Sequence, residues 1–363
     1  MIPRLRSAWV QLTSLRWRVQ AALLRRSPTA REAAQQRAAF YRHVWREAAE
    51  QAGMEVEPLG DEILRITREG FCTKVCGNWT AIDDPVTLAL AGNKAAVYRL
   101  LAREGLPVPR HALFSMDRMA PAREYLRRAT GPCVVKPARD TGAGMGVATG
   151  VRTLRQLRRA AAVAAVYDHE LIIEQQVRGG NYRLLYLDGV LLDAVRRHPP
   201  TVVGDGRSTI RRLVHRANAE RLSGGFAAAQ VLLTIDAEMR RTLASQGLSL
   251  RSVPAAGRGV VVKTVINENA AVDNEAVGQR ICPAIVADGA RAAACVGARL
   301  AGVDVITEDP SRPLAETGGV ILEVNTTPGF YYHYHRRGEA VPVAIDVLRR
   351  LIEDSSNKPS RAL

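Results

Sequence analysis

Apolar and polar positions divide the first third of the chain into helical and short extended segments. Residues 31–52 repeat apolar positions at helical spacing and stop at Gly53, which predicts an amphipathic helix. Residues 54–60 and 62–70 favour extended backbone and predict two short strands. A second helix is predicted over 93–104, where an asparagine at the first position is a suitable N-terminal cap.

Beyond residue 130 the pattern is dominated by runs of β-branched residues separated by turns. A hairpin is predicted over 182–197, because Asp188 and Gly189 stand as a turn pair between two apolar runs. Further strands are predicted at 133–138, 170–177, 260–265, 303–307 and 320–325. Helices are predicted at 153–165, 284–300 and 341–352, and within the stretch 202–253. The sequence therefore predicts a mixed α/β chain in which antiparallel strands dominate after residue 130.

The composition restricts the class of protein. With 363 residues, of which 47% are hydrophobic and 24% charged, the chain is long enough for two or three domains and a sizeable core. Its five cysteines are too few and too irregularly spaced for a disulfide scaffold, and no two have zinc-knuckle spacing. We therefore expect reduced thiols in a cytoplasmic protein.

The charge is strongly positive, and much of the excess lies near the N-terminus. The chain carries 51 Lys and Arg against 36 Asp and Glu, and residues 1–31 contain seven arginines and no acid. An amphipathic helix that contacts a membrane or a protein partner and a solvated basic arm both fit this composition, which also resembles that of a transit peptide. No apolar run in this arm is long enough to span a membrane, and no motif that reads nucleic acid accompanies it.

Two of the predicted strands carry oxygen ligands in apolar surroundings. Asp304 lies within VDVIT, and Glu323 and Asn325 stand two apart in ILEVN, so the last two side chains share one face of a strand. Acids at strand ends usually face water, but the apolar neighbours indicate burial, and a buried carboxylate needs a cation. The set predicts a magnesium site.

A glycine cluster and several cations add a second kind of chemistry. Residues 139–150, RDTGAGMGVATG, lack the Gly-Lys-Ser/Thr of a Walker A loop and fit either an ordinary turn or a flexible hairpin that closes on phosphates. Each Lys or Arg taken singly is a solvated surface charge by default. Beside a magnesium site, the following cations together predict binding of a polyanion: Lys94, Lys136, Arg183, Arg196, Arg197 and Lys263.

Taken in order, the motifs resemble the ATP-grasp superfamily of carboxylate–amine ligases, most closely the ATP-grasp modules of cyanophycin synthetase and of bifunctional glutathione synthetase. The resemblance runs from about residue 45 to residue 350. It is carried by GNKAAVYRLLAREGLPVPRH, CVVKPARDTGAGMGV, LIIEQQVRGGNYRLL, RRHPPTVVGDGRSTIRRLV, QGLSLRSVPAAG and GVDVI…ILEVNTTPGF. It implies an α+β ATP-grasp fold, ATP as a cosubstrate, and two Mg²⁺ ions for which Mn²⁺ can substitute.

The resemblance assigns residues to the nucleotide. Lys94 and Lys136 match the two lysines that hold the α- and β-phosphates, and Glu174 matches the residue that meets the adenine amino group. The other positions implied to contact ATP belong to the closing loop and the hinge: Gly142, Gly144, Met145, Gly146, Val147, Gln176 and Val177. Asn181 stands where the family usually has an acid for the ribose hydroxyls, so a weaker affinity for ATP is expected.

The same resemblance implies the metal and reaction roles. Asp304, Glu323 and Asn325 match the magnesium ligands, with Glu323 bridging two ions. The residues implied to stabilise an acyl phosphate and its tetrahedral successor are Arg183, Arg197 and Lys263. The implied substrate contacts are Arg196, Asn267 and His333.

The identity of the substrates does not transfer, because INENAAVDN at 266–274 replaces the family's STGG-like loop. The resemblance and the basic cluster together predict a ligase that joins an anionic carboxylate, such as an acidic amino acid or peptide, to an amine. A glutathione-synthetase-like or γ-glutamyl ligase is one alternative, and an inactive nucleotide-binding protein docked through its basic arm is another. A homodimer is compatible with the resemblance, and no specific nucleic acid is expected as a partner.

The predicted organisation has five parts. They are a basic arm at 1–37, a small α/β domain at 38–92, a lid subdomain at 93–175, a larger α+β subdomain at 176–352 and a polar tail at 353–363. The resemblance implies that ATP is held between the lid subdomain and the larger subdomain.

Overall fold

The computed structural model describes residues 28–356, apart from 61, 140, 142–143, 226–230 and 267. Most of the predicted basic arm therefore lies outside the described residues. The α-helices are α1 (Pro28–Gln51), α2 (Pro85–Ala91), α3 (Lys94–Arg103), α4 (Ala120–Arg128), α5 (Leu154–Ala164), α6 (Ile210–Ser223), α7 (Ala237–Ser245), α8 (Pro283–Val296), α9 (Leu314–Thr317), α10 (Tyr331–Tyr334) and α11 (Val343–Ser356). Within these residues, no helix is both long and apolar enough to cross a membrane.

The strands form four antiparallel sheets. They are β1 (Glu55–Pro58), β2 (Ile63–Arg68), β3 (Phe71–Cys76), β4 (His111–Phe114), β5 (Cys133–Pro137), β6 (Ala148–Val151), β7 (Leu171–Gln175), β8 (Gly180–Leu187), β9 (Val190–Arg197), β10 (Thr201–Val203), β11 (Gly259–Val261), β12 (Asn274–Ala276), β13 (Leu300–Thr307) and β14 (Val320–Thr326). Their orders are β1-β2-β3, β4-β7-β5-β6, β10-β11 and β12-β9-β8-β13-β14. The predicted mixture of helices with antiparallel sheets is confirmed.

The N-terminal helix and sheet share a core with the end of the chain. Buried residues of α1 such as Phe40 and Trp45 pack in one cluster with Leu185 of β8, Phe330, and Leu348 of α11. The predicted small domain at 38–92 thus has no separate hydrophobic core. Helix α1 also begins at Pro28, inside the predicted arm, and α11 extends to Ser356, inside the predicted tail.

The lid subdomain is the four-stranded sheet with α4 and α5 packed on one side. Alternating residues of its strands, including Val135 and Ile173, are buried against Leu157 of α5. The opposite face carries Lys136 and Glu174, because side chains alternate along each strand. The lid sheet therefore has one apolar face and one face with buried charges.

The five-stranded sheet repeats this division on a larger scale. One face is apolar: Leu184, Val303 and Val324 are buried in a cluster with α8 and with the apolar side of α3. The residues between them, including Arg183 and Asp304, point to the other face. Hydrophobic packing on one side thus fixes the polar residues in register on the other.

Two sequence predictions were incomplete in this region. The strand expected at 260–265 is a regular strand over Gly259–Val261, where β11 pairs with β10 in a two-stranded sheet. That sheet packs with α6 and α7 around Val202, Val214 and Met239 in a cluster of their own. The predicted subdomain at 176–352 therefore contains a second, smaller core in addition to that of the main sheet.

A glycine fixes the connection from the lid to the main sheet. Gly179, directly before β8, has φ of +128°, and a Cβ placed on it would lie 2.2 Å from the carbonyl carbon of Thr307 in β13. Since real Cβ atoms do not approach backbone atoms so closely, only glycine fits at position 179, where the chain enters the main sheet.

We predict that Gly179→Ala destabilises the protein far more than Gly189→Ala. Gly189 also has a positive φ, of +79°, but has no heavy atom within 4 Å of the Cβ position, so its substitution tests backbone strain alone. We expect a loss of about 1–2 kcal/mol for Gly189→Ala. For Gly179→Ala, overlap with β13 adds to strain, and we expect about 3 kcal/mol or more. Urea unfolding of both variants measures the difference, and equal losses would contradict this account of the hinge.

Candidate active site

The centre of the candidate site is a row of side chains across the polar face of the main sheet. Arg183 of β8 lies opposite Asp304 of β13, which in turn lies opposite Glu323 of β14. Arg183 donates two hydrogen bonds to the Asp304 carboxylate, from Nε to Oδ1 and from Nη2 to Oδ2, the latter at 2.7 Å. The strands thereby hold one cation and two anions in adjacent positions of a single row.

Burial makes the ion pair of Arg183 and Asp304 electrostatically strong. Burial alone would raise the pKa of Asp304, but the charges of Arg183 and Arg197 and the hydrogen bonds from Arg183 and Asn325 hold it below its usual value. Burial likewise disfavours the guanidinium, yet Asp304 keeps the pKa of Arg183 above its ordinary value. Both groups are therefore charged at neutral pH, and each stabilises the charged form of the other.

Arg197 of β9 approaches the same carboxylate from the side. Its Nη1 lies 3.8 Å from Asp304 Oδ2, its Nη2 donates to the carbonyl of Ile266, and its guanidinium carbon is 4.6 Å from the centre of the Tyr332 ring. The Arg197 side chain is thus fixed beside Asp304 by a backbone carbonyl and an aromatic face.

The three predicted magnesium ligands lie on this face, and their chemistry fits a hard cation. Asn325 is one row from Glu323 and donates its amide nitrogen to the Gly302 carbonyl, 3.1 Å away, which leaves the amide oxygen as the ligand atom. Two carboxylates and an amide oxygen form a donor set suited to Mg²⁺. Among the residues described, no cluster of three or more His, Cys, Asp or Glu side chains could hold a metal.

Lys94 links the glycine loop to the main sheet. Lys94, at the start of α3, lies 3.5 Å from Glu323 Oε1 and donates to the carbonyl of Thr141 at 3.1 Å. Asn93 caps the helix by accepting from the amide of Ala96, as predicted, and this sets the direction of the Lys94 side chain. The glycine loop is therefore joined through Lys94 to the strand that carries Glu323.

Lys136 and Glu174 form a buried pair on the charged face of the lid sheet. Lys136 Nζ lies 2.8 Å from Glu174 Oε1, and both side chains are almost fully buried. The hydroxyl of Tyr98, from α3, lies 2.9 Å from Lys136 Nζ and 3.0 Å from Glu174 Oε2. Sequence analysis missed Tyr98, although its position four residues after Lys94 places it on the same side of the helix.

The remaining nucleotide positions are divided between the loop and the hinge. Gly144 and Gly146 have positive φ values, and a Cβ on Gly146 would collide with Tyr167 and Pro137. Val147 accepts through its carbonyl from Arg241, while Met145 lies in the turn between these glycines. Gly142 lies outside the described residues.

Asn181 lies on the polar face of the main sheet, whereas the hinge residues Gln176 and Val177 line a separate groove. Asn181 pairs with Arg197 and Ile306 and so lies on the polar face, one row from Arg183. Gln176 accepts at 2.7 Å from the amide of Gly150, and with Val177 it lines an open groove of about 670 Å³. Lys94, Lys136 and Glu174 do not line this groove.

Two predicted residues lie apart from the central row. Arg196 was predicted to contact substrate, but it follows the alternation of β9 to the opposite face, where its guanidinium carbon is 6.0 Å from the centre of the Tyr182 ring. Lys263 was predicted beside the reacting groups, but its ammonium contacts Asp236 at 2.9 Å and Glu268 at 2.7 Å. Although burial opposes it, these carboxylates raise the pKa of Lys263, so the charge is already compensated within its own cluster.

His333 of α10 is buried against β9. It has no exposed surface in this structure, and its Nδ1 lies 2.6 Å from Asp193 Oδ2; the contact with substrate stays a prediction. Burial and the charges of Arg183 and Arg336 lower the pKa of His333, whereas Asp193 opposes them. Asp193 was not predicted, though it is the one acid within the apolar hairpin strand β9. Asn267 lies outside the described residues.

Three polar atoms near the row lack a hydrogen-bond partner among the described residues. They are Arg197 Nε, Asn269 Oδ1 and His333 Nε2. Asn269 is held 2.5 Å from Asn274, which lies opposite Arg197 across β9 and β12. Buried polar atoms without partners are uncommon, and these three are a guanidinium donor, an amide acceptor and an imidazole nitrogen.

Comparison with known proteins identifies relatives of this chain. A family described as the C-terminus of D-ala D-ala ligase matches residues 100–189. Cyanophycin synthetase of Trichormus variabilis is 33% identical over 249 residues, 67% of this chain and 27% of that protein. The glutathione biosynthesis bifunctional protein GshAB of Streptococcus mutans is 27% identical over 317 residues, 85% of this chain and 42% of that protein. The chain therefore spans only about a quarter to two fifths of the length of these relatives.

A solved structure extends the similarity to the fold. The bifunctional glutathione synthetase from Pasteurella multocida superposes with a TM-score of 0.55 at 22% identity, covering 84% of this chain and 42% of that one. This likeness confirms the predicted ATP-grasp fold, with its helices and antiparallel sheets.

We predict that Asp304→Asn lowers the free energy of unfolding by about 3–5 kcal/mol, because it leaves the buried Arg183 guanidinium without its counter-charge. The matched control is Glu124→Gln, which removes the partner of Arg127 and Arg128 on the exposed side of α4. That exposed pair should contribute less than about 1 kcal/mol. Urea unfolding tests both variants, and a loss at Asp304 no larger than that of the control would show that the row is not held by this charge pair.

Proposed function

We propose that this chain, which belongs to the ATP-grasp superfamily, is an ADP-forming carbon–nitrogen ligase that activates a carboxylate with ATP and joins it to an amine. The observation that carries the proposal is the row of Arg183, Asp304 and Glu323, with Lys94 reaching it from the lid. Anionic ligands for a hard cation and cationic groups for phosphates thus lie side by side, which is the combination that phosphoryl transfer requires.

In the proposed reaction, Lys94 and Lys136 hold the phosphates of ATP, and Asp304, Glu323 and Asn325 hold magnesium. When bound, magnesium withdraws charge from the transferring phosphoryl group. A substrate carboxylate oxygen attacks the γ-phosphorus, ADP leaves, and an acyl phosphate forms. Arg183 and Arg197 lie where they would neutralise the negative charge that develops on the acyl group.

An amine then attacks the acyl carbon, the amide bond forms, and inorganic phosphate and a proton leave. No side-chain nucleophile takes part, because the phosphoryl group already makes the carbonyl carbon electrophilic. Arg183 and Arg197 remain the groups best placed to stabilise the tetrahedral stage, whereas the charge of Lys263 is used by Asp236 and Glu268.

The same surroundings support an anionic, amino-acid-like carboxylate substrate. Arg183 and Arg197 place two guanidinium groups on the polar face, and Arg197 also contacts Ile266, at the start of the loop 266–274 that differs from the family. A substrate that carries a second carboxylate would add a counter-charge to these cations. The named relatives act, by their names, in the synthesis of cyanophycin and of glutathione, and an acidic amino acid or peptide is the substrate class that we propose here.

We predict phosphate release from ATP and Mg²⁺ that depends on both an acid and an amine. The assay uses the full chain with amino acids and short acidic peptides, singly and in pairs, with mass spectrometry of the products. A condensed product would establish the ligase and identify its substrates. Release with a carboxylate alone would indicate that the acyl phosphate forms without its amine. Binding of ATP without release under any condition would favour the inactive alternative and contradict the proposal.

We predict that Glu323→Gln lowers Mg²⁺-dependent turnover by about tenfold to 100-fold or more, because the variant keeps the shape of the side chain but loses the charge that attracts the metal. Glu316→Gln is the control, since Glu316 pairs only with Arg312 on exposed α9. The concentration of Mg²⁺ that gives half-maximal turnover should rise in Glu323→Gln alone. Unchanged metal dependence, with the fold intact by circular dichroism, would refute the metal assignment.

A further inference from the structure

Tyr98 connects the two charged regions of the candidate site. Its ring is 1% exposed, and its hydroxyl lies 2.9 Å from Lys136 Nζ, 3.0 Å from Glu174 Oε2 and 3.0 Å from the carbonyl oxygen of Leu322. The first two groups belong to the lid sheet, whereas Leu322 belongs to β14 of the main sheet. One hydroxyl therefore joins the predicted nucleotide pair to the strand that carries Glu323.

The carbonyl of Leu322 is available because of an irregularity in the sheet. Asp304 pairs with Glu323, but the next residue, Val305, pairs with Ile321, so Leu322 has no opposite residue in β13. Such a bulge frees backbone groups from the ladder, and a buried carbonyl then requires a donor from elsewhere. Tyr98 supplies it, directly beside the proposed metal ligand.

The hydroxyl has a single proton and two acceptors. Lys136 donates to the phenolic oxygen, so Tyr98 can donate either to Glu174 or to the Leu322 carbonyl, but not fully to both. The resemblance implies that Glu174 contacts the adenine amino group, and in the proposed function Lys136 contacts a phosphate. A bound nucleotide therefore competes for both lid partners of Tyr98 and leaves Leu322 as the acceptor of its proton.

We propose that Tyr98 is a positioning residue that couples nucleotide binding in the lid to the order of β14, and thereby to metal binding at Glu323. This inference rests on the proposed function for its ligands. Since coupling between two sites is reciprocal, nucleotide should strengthen metal binding by the same factor by which metal strengthens nucleotide binding.

The test measures binding of ADP to the full chain by calorimetry, once in EDTA and once in Mg²⁺. The ratio of the two dissociation constants is the coupling factor. We expect Tyr98→Phe to reduce this factor about fivefold, as loss of one ordinary hydrogen bond does. The control is Tyr186→Phe, because the Tyr186 hydroxyl donates at 2.9 Å to the carbonyl of Val286 on the apolar face. That variant should retain the coupling factor of the natural chain.

Several outcomes would overturn the inference. If Tyr98→Phe weakens ADP binding equally with and without Mg²⁺, the tyrosine only shapes the nucleotide pocket. If the unaltered chain binds no ADP, the inference and the proposed function both fail. Coupling without ligase turnover would leave the role of Tyr98 intact while contradicting the ligase.

A second measurement needs no variant and covers the case in which Tyr98→Phe does not fold. Amide hydrogen exchange of Val320–Thr326 is followed in the natural chain with and without ADP, in EDTA. The proposal expects slower exchange in β14 when ADP binds, because the Leu322 carbonyl then accepts the Tyr98 hydrogen bond without competition from Glu174. Unchanged exchange in β14, with ADP bound, would contradict it.

Discussion

The ion pair between Arg183 and Asp304 imposes the main physical constraint on this structure. A buried guanidinium or carboxylate is costly without its partner, and the two are kept in register by the strands that carry them, with β8 and β14 flanking β13. The apolar face of the same sheet holds that register, since a slip of one residue would exchange the faces. The apolar packing on one side of the sheet therefore fixes the register that brings the charged side chains together on the other side.

Charge compensation within the protein explains why the candidate site can be folded before any ligand is bound. Asp304 is neutralised by Arg183, Glu323 by Lys94, and Glu174 by Lys136. In the proposed function, phosphates would take Lys94 and Lys136, the metal would take Asp304 and Glu323, and the adenine amino group would take Glu174. Binding then exchanges ionic contacts instead of bringing isolated charges into a buried cleft, which keeps its desolvation cost low.

The sequence predicts most strands and helices because apolar periodicity directly reflects burial. It also places Glu323 and Asn325 on one face, since strand alternation needs no knowledge of the partner strand, whereas Asp304 joins them only through the pairing of β13 with β14. Arg196 shows the limit of motif matching: it was predicted to contact substrate as the neighbour of the matched Arg197, but adjacent residues of β9 point to opposite faces. Tyr98 and Lys263 depend on contacts between segments far apart in the chain, and no local pattern records that Tyr98 meets Leu322 or that Lys263 meets Asp236.

The first and last described helices pack beside the polar face of the main sheet, next to the candidate site. Along β9, Asp193 binds His333 of α10, two residues before Val195, which pairs with Arg183. On the same side of the sheet, Leu185 is buried with Phe40 of α1 and Leu348 of α11. The first and last helices therefore press α10 against the end of the charged row, with Tyr332 beneath Arg197. Since the core and the site meet at α10, packing of these terminal helices determines how firmly Arg197 is held beside Asp304.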